Sequence, residues 1–243
     1  MAHCYLKGHG HCSTERSNEH YISKAVLKRM EKDRAVRVGG LHWQPDRTLQ
    51  RIGTNSLQSH ILCKRHNSGL SPLDTSADRL WAAVDEIDKD PASVPPLTSV
   101  PGFHLERWLL KVAAGLTATK RQPVPDQWKA ILHGKPWPSG WGLHVPATKG
   151  PRIHAAELEI LTMPSSDNVQ AIECSMAGPR LLLLLGATLT VPDGHFRPRG
   201  LIFQTPSGER RIEFIWPFHV DTAITYTKVG TTNATPPDRA YWT

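Results

Sequence analysis

Leu62-Cys63-Lys64-Arg65-His66-Asn67 offers a thiolate and an imidazole with two residues between them, and an amide directly after. Far upstream lie Cys4, Cys12 and the pair Glu19-His20. Together these side chains supply the parts of one structural metal site and one reactive centre. Beyond Leu73 the chain carries no comparable chemical signature. The sequence therefore divides into a metal-bearing unit over residues 1–73 and a second unit over residues 74–243, the second a candidate for recognition or assembly.

Cys4, Cys12, Cys63 and His66 make a Cys3His set, the sulfur and nitrogen donors that zinc takes in closed, tetrahedral structural sites. Cys63 and His66 have the tight knuckle spacing. Seven residues separate Cys4 from Cys12, and the glycines Gly8 and Gly10 allow that longer loop to close. Fifty residues intervene before Cys63. In a reducing compartment, cysteines clustered beside histidines read as a metal site rather than a disulfide framework. A basic, loop-rich segment of this size does not build a core unaided, which favours a bound ion. His9 and His11 are rival ligands or solvated loop histidines; the second reading is preferred because four donors are already present. Cys174, within a strand-like run, reads as a buried apolar thiol.

Charge is placed unevenly. Residues 1–67 hold twelve Lys and Arg against five Asp and Glu, so the whole net charge of +7 sits there and the remainder is neutral. Such asymmetry favours a polyanionic partner, most simply nucleic acid. The longest apolar stretch, Leu181 to Leu185, is far short of the ~18 residues of a membrane span. The N-terminus lacks a basic start followed by an apolar core. A cytoplasmic protein without a membrane partner is the expectation.

The second constellation is Glu19-His20 with Asn67. A carboxylate beside an imidazole can hold a divalent ion and set a base near it, and an Asn adds a neutral oxygen. Phosphodiester cleavage needs a base for the attacking water and a cation for charge on phosphate and leaving oxygen.

On these residues, positions 4–67 resemble HNH endonucleases in their zinc-bearing ββα-metal form. The resemblance rests on Cys…Cys, then Glu19-His20-x-Ile22, then Leu62-Cys63-x-x-His66-Asn67. It implies that His20 is the general base. Glu19 takes the place of the acidic ligand of a catalytic Mg2+ or Mn2+, and Asn67 that of the last ligand to the same ion. Cys4, Cys12, Cys63 and His66 would hold structural zinc. The family's middle Asn, which orients the base, falls on Gln58 here, with Asn55 nearby. Ser23 stands where Pro is usual, and His66 replaces the second knuckle Cys. Lys24, Lys28, Arg29, Lys64 and Arg65 are the candidate nucleic-acid contacts, through phosphate. The implied partner is DNA, with RNA as the other polyanion, and a homodimer would suit double-strand cutting. Restriction, phage defence and mobile-element biology all fit.

Two other readings stand beside this one. In the first, a zinc-stabilised module binds nucleic acid through a degenerate, non-cleaving HNH site, as Gln58 suggests. In the second, the zinc unit is structural and residues 74–243 act, although His144, His154, Glu157 and His195 form no recognisable set.

The expected fold class is α+β: an N-terminal zinc-stabilised ββα-metal (HNH-like) module, then a second domain of helices followed by a small, mostly antiparallel sheet. Lys24 to Met30 reads as a short basic helix, Val38 to Leu41 as a turn, and residues 44–54 as irregular. Asp74 is expected to N-cap a helix to about Asp85, with Leu80, Trp81, Val84 and Ile87 on its apolar face. Asp88 to Thr98 reads as a Pro-rich loop. Phe103 to Leu116 is a second amphipathic helix, with Glu106 and Arg107 on its solvated side, and Asp126 to His133 a third. Strands are expected at Glu157–Met163, Val169–Met176, Arg180–Val191, Leu201–Gln204 and Arg211–Trp216. The tail from Thr227 is polar.

Overall fold

A computed structural model describes residues 4–31, 35–39, 41, 44, 50–146, 157–164, 169–175, 179–186, 194–218 and 223–227. The fold is a mixture of helices and sheets arranged around one long apolar helix. The chain opens with a loop over residues 4–15 and strand β1 (Arg16–His20), followed by helix α1 (Lys24–Met30). Strands β2 (Ala35–Gly39) and β3 (Gln50–Gly53) come next, then a 3-10 turn and β4 (Gln58–Cys63). β4 pairs antiparallel with β1, and α2 (Lys64–Lys89) leaves its end directly. β5 (Leu97–Pro101), α3 (Gly102–Thr119) and α4 (Asp126–Leu132) complete the helical part.

The helix expected from Asp74 starts ten residues earlier, at Lys64, with Cys63 as its N-cap. The Cys63 sulfur accepts the N–H of His66 at 3.5 Å and so does the capping that a Ser or Asp usually does. Pro72 lies inside α2, where its missing N–H made the segment read as a break. Asp74 faces inward instead of capping. The boundary expected between residues 73 and 74 thus falls within a continuous helix.

α3 is buried on nearly every side: Leu105, Trp108, Leu109, Leu110, Val112, Ala113, Ala114 and Leu116 all lie in the core. It packs on α2 and α4 and also touches β4, β6 (Gly142–Pro146), β8 (Val169–Ser175), β9 (Arg180–Leu184) and β12 (Gly208–Ile215). Burial of each large aliphatic side chain here contributes about 1.5–3 kcal/mol. Glu106, expected on a solvated face, is 1% exposed; its carboxylate meets Arg197 at 2.5 Å and accepts the N–H of Leu143 at 2.8 Å. Arg107 is half-buried and donates to the carbonyl of Ile131.

The β part comprises two larger sheets rather than one small one. A seven-stranded sheet has the order β10 (Gly194–Phe196), β6, β9, β8, β7 (Glu157–Pro164), β2, β3. Its pairings are antiparallel except β2 with β7. A four-stranded sheet has the order β13 (Ala223–Thr227), β11 (Gly200–Thr205), β12, β5, with β11–β12 antiparallel and the outer pairings parallel. Two stretches read as turn or irregular, around Val38-Gly39 and Gln50–Gly53, are strands of the first sheet. The strand run expected through Val191 ends at Leu184. Residues 187–193 and most of the polar tail, 228–243, lie outside the described residues. Among those described, no helix is long and apolar enough to cross a membrane.

Candidate metal centre

The N-terminal loop returns to the end of β4, where the N–H of Tyr5 donates to the carbonyl of Ile61 at 3.0 Å. That contact carries Cys4 to Cys63. The rest of the loop turns at Gly8 and Gly10, both at positive φ, and brings Cys12 to the same point. His66, on the first turn of α2, completes the group. The donor atoms of Cys4, Cys12, Cys63 and His66 all lie within 4.8 Å of one another.

The inner distances identify the geometry. His66 Nδ1 is 3.2 Å from Cys4 Sγ, 3.6 Å from Cys12 Sγ and 3.4 Å from Cys63 Sγ. One nitrogen cannot hydrogen-bond well to three sulfurs at once. A tetrahedral ion with Zn–S near 2.3 Å and Zn–N near 2.05 Å would put each sulfur about 3.5 Å from the nitrogen, so the four residues fit such an ion. The far ring nitrogen supports the same reading. His66 Nε2 is 2.9 Å from the carbonyl of His9, to which it can only donate, and this leaves the Nδ1 lone pair facing the sulfurs. Burial pushes the Cys4 thiol up to about 12. Burial acts the same way on Cys63, but the N–H groups of His66 and Ser13 outweigh it and bring that thiol down to about 7.

His9 therefore serves through its backbone, and its ring stacks on His133 with centroids 5.7 Å apart. His133, at the end of α4, also packs edge-on against His66. Nothing in the spacing of the sequence pointed to it. His11 is exposed. Cys174 is a buried thiol, pushed well up by that burial.

The β1–β4 pair carries the second constellation. His20 stands opposite Gln58, and Glu19 opposite Ser59, with an irregularity between Ser17 and Glu19. His20 is half-buried; its Nε2 is buried and has no hydrogen-bond partner among the described residues. Burial first, then Lys24 and Lys111, hold this imidazole below its usual pKa, so it is neutral at pH 7. Glu19 turns into the core, 3% exposed, and lies 2.6 Å from Lys111 Nζ. Burial raises its pKa against the opposing pull of Lys111. Lys111, on α3, is 2% exposed and also lies 2.6 Å from Asp74 on α2. Ser23 donates to Asp74 in turn, and Trp108 Nε1 donates to Ser23 at 2.6 Å. Asn67 is elsewhere engaged: its amide donates to Ser17 Oγ at 2.6 Å.

His20, Gln58 and Glu19 thus come together on the β1–β4 pair, while the sequence reading missed the partners of Glu19. The available signal was Lys111 itself, a lone charge inside Leu109-Leu110-Lys111-Val112-Ala113-Ala114. Of the basic candidates, Lys24, Lys28 and Arg65 are exposed. Arg29 pairs with Asp78 at 2.6 Å and ties α1 to α2, and Lys64 pairs with Glu15 at 2.9 Å on the surface. Asn55 lies in the 3-10 turn before β4.

No family model, curated protein or solved structure matches the chain.

Proposed function

We propose that this chain is an HNH-type endonuclease that hydrolyses DNA phosphodiester bonds, with zinc in the Cys4–Cys12–Cys63–His66 site. One observation carries the reading: β1 pairs with β4 so that His20 faces Gln58, and α2 leaves β4 at the Cys63 ligand. An antiparallel strand pair and a helix beside a candidate metal set support that reading. The zinc fixes the loop of residues 4–12 to the start of α2 and so sets the relative positions of hairpin and helix.

His20 is the base in this reading. Its imidazole is neutral at pH 7, the protonation state in which a base can take a proton from water attacking phosphorus. The basic excess of residues 1–67 supplies the attraction for DNA, with Lys24, Lys28, Arg65 and Lys64 as phosphate contacts. The role of Mg2+ or Mn2+ stands apart. Glu19 is closed off by Lys111 and Asn67 is bound to Ser17, so these two residues as arranged do not fit a divalent ion. Restriction, phage defence and mobile-element biology are the settings in which such an activity would serve.

A second reading, a zinc-stabilised module that binds nucleic acid without cutting, is favoured by the Glu19–Lys111 ion pair and by Gln58. Zinc-loaded protein on supercoiled plasmid separates the two. Nicking that disappears in His20→Ala, with zinc content and fold retained, supports the endonuclease. DNA retained in a gel shift with no nicking by either protein leaves the binding module.

A further inference from the structure

The ammonium of Lys111 sits between two carboxylates. Its Nζ is 2.6 Å from Glu19 and 2.6 Å from Asp74. The three charges come from β1, α2 and α3, elements that converge only in the folded core. Two carboxylates on one buried point create a strong demand for a cation. The Tyr5 hydroxyl adds to the polar character of this pocket: it is buried, has no hydrogen-bond partner among the described residues, and lies within electrostatic reach of both Glu19 and Asp74. Ser23, hydrogen-bonded to Asp74, and Trp108, hydrogen-bonded to Ser23, close the other side.

We infer that Lys111 is the resident cation of the Glu19–Asp74 carboxylate pair, tethered in the position where a divalent metal ion would otherwise be held, and that it excludes such an ion from Glu19. The four-carbon stem of a lysine delivers one positive charge without desolvating a hydrated metal ion, and α3 fixes it in place by burying that stem. Asp74, which no motif reading singled out, is the second acidic member of this site. The consequence for the endonuclease reading is specific: any cation acting at Glu19 in the resting chain is the chain's own. The inference itself concerns only cation binding and does not depend on cleavage.

The test is Mn2+ binding to the zinc-loaded full-length chain, followed by the loss of the free-ion EPR signal and requiring no DNA. Wild-type protein and Glu19→Gln should bind Mn2+ equally, because Glu19 offers no site in either. Lys111→Met should gain one saturable site, at least about tenfold tighter than anything in the wild type, from the loss of a like charge at contact distance. That site should vanish in Lys111→Met combined with either Glu19→Gln or Asp74→Asn. A wild-type Mn2+ site that is lost in Glu19→Gln would overturn the inference, and this arm stands even if Lys111→Met does not fold. A folded Lys111→Met with one zinc and no gain in Mn2+ affinity would overturn it equally. Since plasmid nicking is read separately, failure here leaves the endonuclease assignment to its own assay.

Discussion

Gln58 is the cross-strand neighbour of His20. Directly opposed residues of an antiparallel pair hold their Cβ atoms about 4.5–5.5 Å apart, well within the reach of a Gln amide. The Gln58 amide can therefore reach the imidazole across the strand pair. Under the proposed function, His20→Ala should reduce nicking by about 10²–10⁴-fold, the usual worth of a general base. Gln58→Ala should lower the rate while leaving DNA affinity unchanged, because it acts only through the orientation of the ring. Gln58→Asn should match or exceed the wild type. Initial nicking rates beside gel-shift affinities read all three, and a Gln58→Ala rate equal to wild type would remove the residue from the machinery.

The Cys3His centre makes a prediction independent of activity. Cys12 is exposed, so its replacement by Ser removes a ligand with little loss of packing. One zinc per chain should be found by atomic absorption in the wild type and none in Cys12→Ser or His66→Ala. Because the ion joins the N-terminal loop to α2, its loss should lower the thermal midpoint by several degrees or more, equivalent to a few kcal/mol at least. Cys174→Ser, by contrast, should keep full zinc content, since Cys174 lies on β8 and outside the ligand set. Zinc lost from Cys174→Ser and retained in Cys12→Ser would assign the wrong cysteines.

A pH profile follows from the lowered pKa of His20. Burial, Lys24 and Lys111 all favour the neutral ring. For a base, the acid limb of kcat/KM then lies below the ordinary 6.5, and activity persists into mildly acidic solution. The same shift has a stability cost. The unfolded chain takes up the proton first, so the stability contribution falls as pH drops from 6.5 toward the folded value. Lys24→Ala removes one of the three causes and should move the acid limb upward toward 6.5. A limb above 6.5 in the wild type would contradict His20 as the titrating base in this environment.

Local chemistry was the legible part of this chain. Thiols and an imidazole at knuckle spacing announce a metal set whatever the tertiary fold, and the structure gathers those four residues. Apolar periodicity likewise located α3 and α4 to within a few residues. What escaped was long-range. Glu106 read as the solvated face of an amphipathic helix because charge normally marks that face, and Lys111 was not singled out. Each is buried because its partner arrives from a distant segment: Arg197 from beyond β10, Asp74 from the middle of α2. The parallel pairing of β2 with β7 is of the same kind, since position 37 pairs with position 157 across about half the chain's length and no local pattern encodes it. α2 was cut short in the reading by Pro72 and by the cap-like Asp74, although the cap is a cysteine.

Gly115 couples α3 to the segment after β1 in a way that a single methyl group can test. A Cβ at this position would lie 2.5 Å from Tyr21 Cβ and 3.3 Å from its Cα. The first distance is far inside van der Waals contact, and the second involves backbone, so no rotamer change relieves the clash. Tyr21 directly follows His20, and its N–H donates to the carbonyl of Leu57, the residue before Gln58. Two effects oppose each other in Gly115→Ala. Helix propensity favours Ala by up to about 1 kcal/mol. Overpacking against a fixed backbone costs about 1–3 kcal/mol. The clash should win, so the variant should lose about 1–2 kcal/mol in denaturant unfolding. Any displacement of Tyr21 passes straight to His20, so under the proposed function nicking should fall while the zinc content stays at one, because the atoms nearest the added methyl belong to Tyr21 and Ile61 rather than to a metal ligand. Gly115→Ala with an unchanged unfolding midpoint would mean that α3 and the segment after β1 are not in the close contact described.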